Sequence, residues 1–122
     1  IEELEKPVTI TFQNNGEPQR FHTNIEVAVF RLVQESVTNA IKHGKSKHVW
    51  VKIEWLRDIM NISIRDNGNG FDKNEVRNKS FGLIGMRERI DLLKGEMNIN
   101  STLGKGTNVL FRIPLTGNFI EN

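Results

Sequence analysis

In MNISIRD, residues 60 to 66, apolar side chains hold the even positions until the alternation delivers a carboxylate, Asp66, to the apolar side. A side-chain period of two aims that carboxylate inward at the end of a strand. An ionised carboxylate buried without partners costs more than a marginally stable domain can carry, so Asp66 needs donors from protein, water or ligand. Thr107 shares parity with Val109, Phe111 and Ile113 and points the same way. A carboxylate and a hydroxyl at the edge of an apolar slot suit a flat heterocycle that stacks on aliphatic walls and offers an exocyclic amino group. Adenine fits, whereas guanine presents a carbonyl to the carboxylate.

A second polar group lies in QESVTNAIKHG, residues 34 to 44. At about 100° per residue, Glu35, Asn39 and Lys42 fall within roughly 60° of one another, and Val29, Val33, Val37 and Ala40 occupy the opposite arc. With His43, this stripe is either a solvated helix face or one that a ligand answers. His43, beside a helix-ending glycine, also suits the negative end of a helix.

The glycine clusters fit none of the common nucleotide or calcium motifs. In DNGNGF the positions that a calcium loop fills with oxygen ligands hold Asp66, Gly68, Gly70 and Arg77. HGKSK and LGKGT lack the leading glycine of a phosphate loop, and Gly68 and Gly70 lack the third glycine of a dinucleotide fingerprint. What remains is a glycine-lined loop at a strand end, and FGLIGMRER, where Gly82 and Gly85 open a helix whose free N–H groups can receive phosphate.

These groups need elements to hold them. Val8, Ile10 and Phe12 alternate with polar residues, which predicts a half-buried first strand. Thr23 and Asn24 can cap a long helix that runs to Gly44. His48 to Leu56, with Trp55 inward and Trp50 outward, and Met60 to Asp66 read as adjacent antiparallel strands. Residues 66 to 82 predict a mobile loop that serves a ligand. A helix from Ile84 to Gly95 follows, then strands at Met97–Ile99 and Val109–Ile113 joined by the turn STLGKGT. This order predicts an α+β fold, a two-layer sandwich with helices on one face of a mixed, mainly antiparallel sheet.

The chain has 122 residues, 37% of them hydrophobic, enough for a single core in one domain. Seventeen basic and fifteen acidic residues leave a charge of +2, too slim an excess to point to nucleic acid. The lack of cysteine excludes a disulfide framework and a thiol nucleophile and fits a reducing cytoplasm. No apolar run approaches the roughly 20 residues of a membrane helix. The opening at Ile1 reads as that of an excised piece.

Taken together and in order, QESVTNAIKH, DNGNGF, GLIGMRER and STLGKGTNVLFRIP resemble the asparagine box and the three glycine boxes of the ATP-binding catalytic domain of sensor histidine kinases, of the gyrase, chaperone and mismatch-repair ATPase superfamily. RLVQESVTNAIKH with GLIGMRERI looks most like the subfamily that phosphorylates response regulators with a helix-turn-helix output domain. The resemblance implies a Bergerat-type ATP-binding fold. It implies that Asn39, helped by Glu35, holds Mg2+, and that Lys42 and His43 neutralise phosphate charge. Asp66 would accept from the adenine amino group with support from Thr107, while Gly68 and Gly70 let the backbone pass the base. Gly82, Leu83, Gly85 and Met86 would line the phosphate side under a lid formed by the preceding loop. Glu35 is the expected aid to proton removal or water ordering.

The implied partners are a dimerisation and phosphoacceptor domain of the same kinase and a cognate response regulator, with no direct nucleic-acid or membrane contact. None of the three histidines shows the His-acidic pair of the family's acceptor helix, so this chain should bind ATP without phosphorylating itself. The usual phenylalanine box is not evident between Phe71 and Phe81. A serine kinase of the anti-sigma type and a nucleotide-gated protein-binding module are the alternatives.

Overall fold

Alternating apolar residues build β2 (His48–Trp55) and β3 (Ile59–Asp66) as an antiparallel pair in which Val49 faces Asp66 and Trp55 faces Met60. The computed structural model describes residues 7–19, 23–72 and 82–115. β3 pairs on its other side with β5 (Gly106–Pro114), which sets Asp66 directly opposite Thr107, and β5 pairs with β4 (Glu96–Thr102). β1 (Thr9–Asn15) joins the far edge parallel to β2, so the sheet order is β1-β2-β3-β5-β4. With one parallel and three antiparallel pairings, the sheet is the mixed, mainly antiparallel one that the sequence predicts.

Two helices, α1 (Thr23–Thr38) and α2 (Leu83–Leu92), cover one face. Leu32, Ala40, Met86, Ile90 and Leu93 meet Val49, Ile62, Ile64 and Phe111 in a single core. The opposite face carries Trp50, whose ring stacks on His48 with centroids 3.9 Å apart and lies 4.2 Å from the Arg65 guanidinium carbon. Trp50 is therefore braced by its strand neighbours, with no described helix over it. Trp55 packs against the core edge and donates its indole N–H to Asn14 Oδ1 at 2.8 Å.

Three local expectations need correction. β1 is not half-buried: Ile10 and Phe12 are 51% and 60% exposed, because the described helices leave this edge strand uncovered. The core-facing side of α1 is wider than the predicted arc: Ala40 is buried and Val29, Val33 and Val37 pack partly buried on the core as expected, but Leu32 and Ser36 beside them are buried too. Buried Ser36 satisfies its hydroxyl locally, donating to Leu32 O at 2.9 Å. The long helix also does not run unchanged to Gly44; Asn39–His43 form a π turn closed by Gly44 N–H donating to Asn39 O at 2.9 Å. The expected lid falls mostly on residues 73–81, outside the described residues.

Candidate functional site

β3 ends at Asp66, which is only 7% exposed. Its Oδ1 accepts two hydrogen bonds of 2.8 Å, one from Ser46 Oγ and one from the Gly68 N–H. The donors that the buried carboxylate needs are thus supplied by protein, both on one oxygen. Among the described residues no hydrogen bond reaches Oδ2, and Asp66 lines a cleft between the sheet and the helices.

That cleft has apolar walls from Ile64, Ile99, Val109, Leu83 and Met86, with Phe71 at its border. The centre of a water-sized sphere can reach about 40 Å³ of it, within a recess of about 510 Å³ that includes the open mouth. By that measure one water needs about 10–15 Å³, so this inner space admits about three waters.

Thr107 joins the cleft from β5. Its hydroxyl lies 2.7 Å from Ser101 Oγ on β4, which also accepts the Phe71 N–H at 2.8 Å and lies 3.2 Å from Gly106 O. Ser101 thus ties Thr107 to the start of the segment that leaves the sheet at Phe71. Ser46 and Ser101 are site residues that the sequence reading missed. Extending the parity of Met97 and Ile99 by one step would have found Ser101, whereas Ser46 precedes its strand and carries no periodic signal.

The π turn brings Asn39 and His43 to the cleft wall with Gly44. π turns widen a helix by one residue and are frequent at functional sites. Lys42 is exposed and outside the lining residues. Glu35, one turn before Asn39, lies against the start of α2: a Cβ on Gly82, whose φ is 67°, would run into the Glu35 carboxylate. The left-handed φ favours glycine there, and a side chain at this position would displace the Glu35 carboxylate. Of the other expected residues, Gly70, Leu83 and Met86 line the cleft, Gly68 holds Asp66 from behind, and Gly85 sits in the first turn of α2.

Glu35 and Asn39 offer hard oxygen donors, which suit a magnesium ion that keeps several waters and binds few protein groups. The described residues contain no cluster of three or more His, Cys, Asp or Glu for a fully protein-bound metal. The lining combines the buried Asp66 acceptor with the carboxamide of Asn39 and the imidazole of His43 from the π turn. This polarity fits a ligand with an amino-bearing ring and a charged tail.

A nucleotide-binding α+β domain is the class that this fold and cleft define. Residues 24–117 match the histidine kinase-, DNA gyrase B-, and HSP90-like ATPases, and the chain belongs to that family. It is 48% identical over 120 residues to the signal transduction histidine-protein kinase/phosphatase DegS of Bacillus subtilis strain 168, a match covering 94% of this chain and 31% of that protein. The protein of the same name from Brevibacillus brevis is 43% identical over 109 residues, covering 89% of this chain and 28% of that one. The chain thus spans less than a third of these relatives. Among solved structures, the ATP binding domain of PrrB from Mycobacterium tuberculosis superposes with a TM-score of 0.69 at 21% identity, covering 88% of this chain and 79% of that one. The Erythrobacter litoralis blue-light activated histidine kinase does so with 0.77 at 22% identity, covering 91% and 36%. These two likenesses show the fold.

Proposed function

We propose that this chain is the ATP-binding catalytic domain of a two-component sensor histidine kinase. In this reading it donates the γ-phosphoryl of Mg-ATP to a histidine on a separate dimerisation domain, for relay to a response regulator. The observation that carries it is the buried Asp66 carboxylate at the cleft wall, in a chain 48% identical to a histidine-protein kinase.

Asp66 Oδ2 accepts from the adenine amino group, and Thr107 supports the same edge of the base. Ile64, Ile99 and Val109 give the ring apolar faces and exclude water from it. Gly70 and the loop after β3 pass close to the base. Asn39, with Glu35 behind it, is placed to bind a magnesium ion through oxygen. Magnesium, when bound, screens phosphate charge as the bond to the γ-phosphorus breaks. Lys42, with His43 beside it, adds positive charge along the phosphates, and the N–H groups of the first turn of α2, near Gly82, Leu83, Gly85 and Met86, face the same tail. Glu35 orders water or receives a proton near the transferred group. The histidine acceptor and the response regulator belong to other parts of the signalling system, in the cytoplasm, where ATP is available.

Asn39→Ala is expected to remove the gain in ATP affinity that magnesium gives, about a tenfold loss. Paired titrations with and without magnesium measure it, and an unchanged magnesium effect removes Asn39 from the metal site. The phosphotransfer reading is tested with labelled ATP and a supplied acceptor domain. The product expected is an acid-labile phosphohistidine formed only when both domains are present. An acid-stable product supports a serine kinase instead, and partner binding gated by ATP without transfer supports a binding module.

A further inference from the structure

We infer that Ser46 is a positioning residue that sets nucleotide preference by fixing the plane of the Asp66 carboxylate; the inference rests on the adenine reading of the cleft. Ser46 is 4% exposed, and its hydroxyl proton goes to Asp66 Oδ1 at 2.8 Å. The Gly68 N–H reaches the same oxygen at 2.8 Å from the neighbouring strand's side, at the same end of the antiparallel β2–β3 pair, since Ser46 precedes β2 and Gly68 follows β3. A single donor leaves a carboxylate free to turn about its Cβ–Cγ bond. Two donors anchored in different elements hold Oδ1, and with it the direction of the Oδ2 lone pairs.

Ser46 is itself held. Its N–H donates to Ala40 O at 3.0 Å, and Gly44 O accepts the Asn69 N–H at 2.7 Å. Lys45 between them takes a left-handed φ of 56°, which turns the chain from the π turn toward β2. The segment from Gly44 to Ser46 is thus bonded both to the turn that carries Asn39 and to the loop that frames the base. A fixed carboxylate reads a ligand N–H by direction, so the worth of the 6-amino group of a purine depends on Ser46.

The test compares Mg-ATP with the magnesium complex of purine riboside 5′-triphosphate, which lacks only the 6-amino group, by calorimetry on the wild-type chain and on Ser46→Ala. The wild type should prefer ATP, and Ser46→Ala should narrow that preference about tenfold with little change for the deamino nucleotide. Ser46→Cys, which keeps the volume with a weaker donor, should show the same narrowing and serves if the alanine variant does not fold. An equal fall in affinity for both nucleotides, or a lower Tm with the preference intact, makes Ser46 purely structural and overturns the inference. A wild type without preference for the 6-amino group overturns the adenine reading as well; a preference that survives both substitutions leaves that reading standing and refutes only Ser46.

Discussion

Asp66→Asn is expected to reduce ATP affinity by at least about a hundredfold, below the range of routine calorimetry. The size of the effect follows from the two donors on Oδ1. Ser46 Oγ and the Gly68 N–H both need an acceptor at that position. An asparagine satisfies them only with its carbonyl oxygen, which places its NH2 group where Oδ2 stood. That group donates, and it would meet the donating amino group of adenine. The substitution therefore replaces an attractive contact with two donors face to face, in addition to removing the charge. Triphosphates of 6-oxo purines, which present a carbonyl there, should gain relative to ATP. Unchanged ATP affinity would refute the assignment of Asp66 to the base.

The second large effect is expected at Gly68. A Cβ on Gly68 would run into the Gly44 carbonyl oxygen and Ser46 Oγ. The first of these is backbone already engaged with the Asn69 N–H, so neither partner withdraws without disturbing the π turn or Asp66. Gly68→Ala should cost about 2–3 kcal/mol, in the range of overpacked cores, and lower Tm by roughly 10 °C. ATP binding should fall with it, because the Gly68 N–H is one of the two donors on Asp66. A thermal melt and a nucleotide titration on the same sample read both effects. Gly85→Ala is the contrasting case: among the described residues its Cβ would meet only the end of the Arg89 side chain, at 3.3 Å, so Tm should hold or rise. A Gly68→Ala protein as stable as the Gly85→Ala protein would show that the Gly44 to Ser46 segment yields easily, and the rigid base site would be lost with it.

How much of this was legible beforehand differs from residue to residue. Asp66 and Thr107 were readable because strand parity is strict: a residue two positions from a core residue faces the core, and the structure sets these two opposite each other. β2 and β3 were readable for the same reason. Parity does not say which face of an edge strand another element covers, so the alternation of β1 was real while the burial inferred from it was wrong. The stripe of α1 was drawn too narrow because valines at helical spacing outnumber the single leucine, yet Leu32 and Ser36 are buried more deeply than Val29, Val33 and Val37, which pack on the edge of the core.

The amino-acid order by itself determined the α+β class, the inward aim of Asp66 and Thr107, and the glycines that punctuate the loops, since period, parity and turn chemistry are local properties that neighbouring residues fix. Only the tertiary structure decided the parallel pairing of β1, the π turn at Asn39–His43 and the donors on Asp66. Each of these depends on a contact between residues distant in the chain or on a choice between i−4 and i−5 hydrogen bonds. Such choices are settled by packing against the rest of the molecule, where small free-energy differences add up across the whole core.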